Sequence, residues 1–202
     1  MQTNYCNPMI LTIASFKGGV GKTTTAIHLA YYLSTKGTTI LADGDLNRSA
    51  YAWASRGNPD FTVLDRDEMD GAENFEHLVI DTPARPDDET LTALAESSDL
   101  LLIPTFPSSF ALEALVGTIN LLEDLDNYRV LLTACPPPPS KEADRAREAL
   151  EKLDIPVCTA QIRRYAAYQK SEKQGATVDR TRDKNGKVAW SDYQKLGGEI
   201  YG

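Results

Sequence analysis

Residues Phe16 to Thr24 read Phe-Lys-Gly-Gly-Val-Gly-Lys-Thr-Thr. This spacing suits a loop that wraps a phosphate. Glycines let the backbone approach an anion closely, with N–H groups pointing inward, and a following helix adds the positive field of its N-terminus. Lys22 would bring a full charge to the β- and γ-phosphates, and the Thr23 hydroxyl is placed to ligate Mg²⁺. Gly18, Gly19, Val20, Gly21, Lys22, Thr23 and Thr24 are therefore the expected nucleotide-binding residues. Phe16 stands where the usual pattern has glycine. A second lysine, Lys17, opens the loop. A lysine on the outer lip could reach a phosphate held by another copy of the chain; the plain alternative is a solvated side chain.

Such a loop works only if a strand and a helix hold it. Met9 to Ser15 is an apolar run that predicts a buried strand, and Lys22 to Ser34 carries helical apolar spacing closed by Gly37. Further strands are expected at Thr38–Ala42, Phe61–Leu64, His77–Ile80, Leu100–Ile103 (closed by Pro104), Arg129–Thr133 and Ile155–Cys158. Helices are expected at Arg48–Ser55, Asp87–Ser97, Ser109–Asp124 and Ser140–Leu153, the last capped by Ser140. Beyond Tyr165, helical pieces should surround an irregular stretch from Val178 to Lys187. Strands alternating with helices predict an α/β fold: one parallel sheet with helices on both faces, in three layers. Two carboxylate groups fall where such sheets bind ligands, at strand ends: Asp43-Gly44-Asp45, and Asp81 before Thr82-Pro83.

Lys-Gly-Gly-Val-Gly-Lys-Thr-Thr resembles the deviant Walker A loop of the ParA/MinD ATPases, a P-loop NTPase family. The resemblance makes Lys17 the signature lysine that completes an ATP-sandwich homodimer. Asp43-Gly44-Asp45-Leu46-Asn47 resembles the family's Asp-x-Asp-Pro-Gln segment, with Leu46 and Asn47 replacing proline and glutamine. By that match Asp45 positions or activates the attacking water and Asp43 helps hold the Mg²⁺ shell. His77 to Pro83 resembles the Walker B strand and switch, with Asp81 facing Mg²⁺. The catalytic residues implied are Lys17, Lys22 and Asp45; the metal residues are Thr23, Asp43 and Asp81. Arg85 is either a γ-phosphate sensor or a surface arginine. Pro136 to Pro139 either flanks the adenine or is a structural corner. Family-like order runs from about Met9 to Gly175.

With 202 residues, one domain is expected. Hydrophobic residues at 42% and charged residues at 25% exclude a coiled coil, a collagen-like chain and full disorder. No apolar run is long enough to span a bilayer. The first nine residues lack an export signal. Three widely spaced cysteines, Cys6, Cys135 and Cys158, suit a reducing cytosol rather than a disulfide framework or metal knuckle. His28 and His77 have no ligand-spaced partners and read as structural. Tyr165, Tyr168 and Trp190 could stack on bases, although packing is the plainer role.

The net charge of −8 argues against a nucleic-acid coat protein. The charge is unevenly distributed, however. Residues 161–187 hold eight basic and three acidic side chains, a local +5, which leaves −13 for the rest. That is either a solvated surface or a phosphate-binding edge. In ParA-like proteins the basic residues that bind nonspecific double-stranded DNA lie in the C-terminal third. The resemblance thus points to Arg163, Arg164, Lys170 and Lys173.

Together these features predict a slow ATP hydrolase that dimerises on ATP and Mg²⁺ and binds nonspecific DNA. A ParB-like or McdB-like adaptor would stimulate hydrolysis, and the cargo would be a plasmid, a chromosome or a carboxysome. The location would be cytoplasmic and nucleoid-associated. No helix-turn-helix precedes the loop, so specific operator binding is not expected, and Asp43 to Ser49 leans toward the McdA-like group. Two alternatives stand beside this. A MinD-like membrane-cycling ATPase would need a basic amphipathic tail, and Ser191 to Gly202 has one lysine and a Gly197-Gly198 break. A dethiobiotin-synthetase-like ligase would need a dedicated small-acid pocket.

Overall fold

The computed structural model describes residues 9–65, 67–68, 74–119, 122 and 125–202. Cys6 and part of the helix expected to run to Asp124 lie outside the described residues. The elements are β1 (Met9–Ser15), α1 (Lys22–Ser34), β2 (Thr39–Asp43), α2 (Ser49–Arg56), β3 (Thr62–Asp65), β4 (His77–Ala84) and α3 (Asp88–Glu96). They continue as β5 (Leu100–Thr105), α4 (Ser109–Ile119), β6 (Tyr128–Leu132), α5 (Glu142–Glu151), α6 (Ala167–Gln174), a 3₁₀ turn (Val178–Arg180) and α7 (Gly186–Tyr201). Among the described residues the strands form one parallel sheet in the order β3-β2-β4-β1-β5-β6. The expected α/β architecture, helices on both faces of a parallel sheet, is the one observed.

The strand period of two divides the core. Leu11, Ile13, Leu41, Val79, Leu102 and Leu131 point to one face, where α1, α2 and α7 pack through Leu29, Trp53 and Leu196. Leu101, Ile103, Val130 and Leu132 point to the other face and meet Leu91, Leu115 and Leu150 of α3, α4 and α5. Each fully buried leucine contributes about 2 kcal/mol of transfer free energy. The alternation therefore fixes which helix covers which face, and it leaves the C-terminal strand ends free for chemistry.

Several boundaries differ from expectation, each for a local reason. β5 runs through Pro104 to Thr105. The Leu101 N–H donates to Asn127 on the β6 side, so alternate N–H groups at 102 and 104 face β1. Pairing with β1 ends at Leu102, and the N–H that proline lacks would have had no partner there. Ile155 to Cys158 is not a strand; it makes one isolated bridge, Val130 to Val157. Helix α5 starts at Glu142, whose N–H donates to Ser140 Oγ at 3.3 Å without forming a regular side-chain cap. The pair Gly197-Gly198 does not break α7. A Cβ at Gly197 would lie 2.5 Å from the Tyr32 ring, so its absence lets α7 lie directly on α1. Tyr193 and Leu196 of that helix are buried. No helix among the described residues is long and apolar enough to cross a membrane.

Candidate nucleotide-binding site

The loop between β1 and α1 takes a form that glycine makes possible. Gly19 and Gly21 have φ of +77° and +88°, left-handed values that side chains with a Cβ rarely tolerate. A Cβ at Gly18, Gly19 or Gly21 would meet nothing within 4 Å, so the loop encloses open space rather than protein. The Gly21 carbonyl accepts from the Thr25 N–H at 2.9 Å and starts α1. Val20 is pinned from behind, its carbonyl accepting from the Thr133 hydroxyl at 2.8 Å. Phe16, in the place of the usual glycine, packs partly buried against the core of the second face.

A cavity of about 540 Å³ opens over Gly18, Lys22, Thr23, Thr24, Asp45 and Asn47. A second, of about 300 Å³, lies beside Gly19 to Gly21 and is walled by Thr133, Ala134 and residues 162–165. Pro136 to Pro139 lines neither.

The carboxylates lie in register: Asp65 and Asp43 close β3 and β2, and Asp81 is the neighbour of Asp43 within β4, which continues past the expected end at Ile80 to Ala84. Asp81 is fully buried. Its Oδ2 accepts a 2.6 Å hydrogen bond from the Thr23 hydroxyl, and its Oδ1 is buried without a hydrogen-bond partner. Burial pushes the Asp81 carboxyl up to about 7, partly offset by the Thr23 bond, and the Asp43 charge raises it further. An orphaned carboxylate oxygen beside a hydroxyl and the Lys22 loop fits a hard divalent cation, which takes oxygen ligands and keeps much of its water. Among the described residues no group of three or more His, Cys, Asp or Glu converges as a protein-only metal cage.

Asp43, expected to help hold the metal shell, has a backbone donor on each oxygen. Its Oδ1 accepts from the Asp45 N–H at 3.2 Å and its Oδ2 from the Tyr51 N–H at 2.9 Å. Both oxygens shape the loop and the start of α2, and burial raises this carboxyl too. Asp45 faces the larger cavity. Its Oδ1 accepts from both the backbone and side-chain N–H groups of Asn47 at 2.9 Å, so the replacement of glutamine by asparagine keeps a local clamp. Leu46, in the place of proline, is 84% exposed. Arg85 is exposed at φ +60° and its N–H donates to the Ser15 carbonyl.

Lys17 lines neither cavity. Its ammonium sits 5.1 Å from the Phe110 ring centroid and 5.8 Å from that of Phe106. The two rings have no counterpart in the phosphate motif, so sequence reading missed them.

The basic segment divides. Arg164 and Lys173 are exposed. Lys170 pairs with Asp183 at 2.7 Å, which draws the 181–187 stretch against α6. Arg163 differs from expectation: its guanidinium is paired with Asp192 at 2.6 Å, so its charge is neutralised inside the fold. His28 is structural, as expected. Its Nδ1 bonds the Thr24 carbonyl at 2.7 Å and its Nε2 accepts from the Val178 N–H at 3.1 Å. Cys135 and Cys158 are free and buried, and burial pushes both thiols up to about 12.

Comparisons with known proteins agree with this geometry. Residues 11–178 match the CobQ/CobB/MinD/ParA nucleotide binding domain. The chain is 34% identical to the maintenance of carboxysome distribution protein A of Gloeobacter kilaueensis, over 96% of this chain and 94% of that one. A putative plasmid partition protein from Borrelia burgdorferi, solved with AMPPNP, superposes with a TM-score of 0.71 at 20% identity, covering 96% of this chain and 98% of that one. An aspartate-to-alanine variant of Cyanothece McdA, solved with ATP, superposes at 0.66 with 18% identity, covering 96% and 95%. Loop, strand-end carboxylates and overall likeness lead to one conclusion: the chain belongs to the CobQ/CobB/MinD/ParA family of nucleotide-binding domains, on its ParA/MinD side.

Proposed function

We propose that this protein is a slow ATP hydrolase, forming ADP and phosphate, that closes into a homodimer around ATP and holds nonspecific double-stranded DNA while a partner protein controls release. The observation that carries this reading is Lys17. It stands outside the cavity of its own subunit, against ring faces at 5.1 and 5.8 Å, while Lys22 lies within that cavity. A cation that does not line its own phosphate cavity is available to a phosphate in a second copy.

Within one subunit, the loop N–H groups and Lys22 bind the triphosphate, and Thr23 with Asp81 would hold Mg²⁺. The bound cation would supply charge neutralisation at the β- and γ-phosphate oxygens. Asp45, oriented by Asn47, would position the attacking water in line with the γ-phosphate. The DNA face would be formed by Arg164, Lys170 and Lys173 with the exposed Arg182, Lys184 and Lys187 beside them; Arg163 contributes position rather than charge.

The relative whose printed name concerns carboxysome distribution matches over nearly the whole chain. We therefore take a protein body as the cargo, with an McdB-like adaptor and a nucleoid-bound, cytoplasmic location. The test is ATP turnover with Mg²⁺, measured with and without nonspecific DNA and adaptor. Slow basal turnover that the adaptor accelerates in the presence of DNA is expected. Steady turnover on a small carboxylic acid, indifferent to DNA, would instead identify a ligase.

A further inference from the structure

The turn that carries Asp45 into the phosphate cavity ends at Arg48, which stands in a left-handed conformation, φ 50° and ψ 44°. A residue with a bulky side chain is rarely found there, and such strain persists only where the surroundings over-determine it. Here they do. The Arg48 N–H donates to the Asp45 carbonyl at 2.9 Å, and the Arg48 carbonyl accepts from the Ala52 N–H at 2.8 Å. One residue thus closes the turn behind Asp45 and starts α2.

The guanidinium supplies the rest of the restraint. Its Nη1 meets Asp65 Oδ2 at 3.1 Å and its Nη2 meets Asp67 Oδ2 at 2.8 Å. The Asp65 side chain is only 8% exposed, and its other oxygen accepts from the Asp67 N–H at 2.8 Å. That bond holds the two carboxylates together for one planar fork. An exposed ion pair fixes little by itself, whereas a fork on two restrained carboxylates fixes direction as well as distance. Asp65 is in turn the register neighbour of Asp43, and Asp43 accepts the Asp45 N–H at 3.2 Å. The turn is therefore tied to the sheet at both ends, through Asp43 at its start and through Arg48 and Asp65 at its close. Asp45, Asn47 and Ser49 line the 540 Å³ cavity, and Arg48 does not; its side chain acts from outside on the aspartate within.

We propose that Arg48 is a positioning residue for hydrolysis: by tying the turn to Asp65 and Asp67 at the end of β3, it holds Asp45 where the attacking water must stand. This rests on the reading that Asp45 positions that water. The experiment is steady-state ATP turnover with Mg²⁺ for the wild type, Arg48→Gln, Arg48→Lys and Arg48→Gly, with the Gln and Gly substitutions repeated in the Asp45→Ala protein. In Arg48→Gln kcat should fall about 10- to 100-fold, and KM for ATP should change less than about twofold. Arg48→Lys keeps the charge while losing the fork, so its kcat should lie between those of Arg48→Gln and the wild type. Arg48→Gly takes the left-handed turn without strain, so it decides the matter if Arg48→Gln does not fold; its kcat should fall by the same 10- to 100-fold, about as in Arg48→Gln. In the Asp45→Ala protein the same substitutions should alter the residual rate less than about twofold, because residues that act as one unit are not additive. An unchanged kcat in Arg48→Gly, a loss confined to KM, or a full further loss on top of Asp45→Ala overturns the proposal. A wild type without ATP turnover, or an Asp45→Ala protein as fast as the wild type, overturns the reading of Asp45 itself.

Discussion

The Thr23 hydroxyl and the Asp81 carboxylate, 58 positions apart in sequence, meet in a 2.6 Å hydrogen bond between the first turn of α1 and the middle of β4. The bond satisfies one oxygen of a buried acid and leaves the other aimed at nothing in the protein. On the proposed reading, Thr23→Ala would remove a Mg²⁺ ligand together with the hydroxyl that bonds Asp81. Affinity for Mg²⁺·ATP should fall about 10- to 100-fold, and affinity for ATP in EDTA should change much less. Calorimetric titration in the two buffers checks this; equal losses would separate Thr23 from the cation.

Asp45 faces the cavity from a loop held by Asp43 and Asn47. Asp45→Ala should retain ATP binding and lose roughly 100-fold or more in turnover, the scale of a water-positioning carboxylate. Single-turnover phosphate release measures it. Hydrolysis at the wild-type rate would remove Asp45 from the reaction.

The pH dependence of stability follows from His28. Burial lowers its pKa from 6.5 to about 4, so between those values the unfolded chain binds the extra proton. His28 therefore costs stability as pH falls from 6.5 toward 4, by about 2 kcal/mol between pH 8 and pH 5. Asp81, raised to about 7, acts with the opposite sign in the absence of a cation, since its folded form holds the proton. The clean quantity is the difference between the wild type and His28→Gln in urea at the two pH values. The wild type should lose about 2 kcal/mol more than the variant on acidification.

The end of α2 rests on the end of α6, backbone against backbone. A Cβ on Gly57 would stand 1.8 Å from the Gly175 carbonyl oxygen, and Arg56 donates to the Glu172 carbonyl at 3.1 Å. Gly57→Ala should destabilise the fold by about 3 kcal/mol, seen as a lower Tm. An unchanged Tm would mean that the two helices part freely.

The phosphate loop and the parallel sheet were legible in the sequence because their signals are local. A glycine pattern between an apolar run and a helical one fixes the loop, and short apolar runs alternating with helical segments mark a parallel sheet; which face each strand residue joins appears only in the packing. What was not legible depends on residues far apart. Arg163 reads as a free cation until Asp192, 29 positions later, is seen to neutralise it. That Asp43 also shapes the start of α2 shows only once the Tyr51 N–H is found on its second oxygen. Gly197-Gly198 reads as a break because the reason for Gly197 is Tyr32, on another helix. Pro104 reads as a strand end because only the pairing shows which of its edges is vacant.

The central claim concerns Lys17, which lies outside its own phosphate cavity and is assigned to that of a second copy. Light scattering of the Asp45→Ala protein with Mg²⁺·ATP reads it directly. The mass should rise from the 22.2 kDa of one chain to twice that, and adding Lys17→Ala should return it to one chain while ATP still binds. A mass that stays at one chain with ATP bound, or a dimer indifferent to Lys17→Ala, would contradict the account.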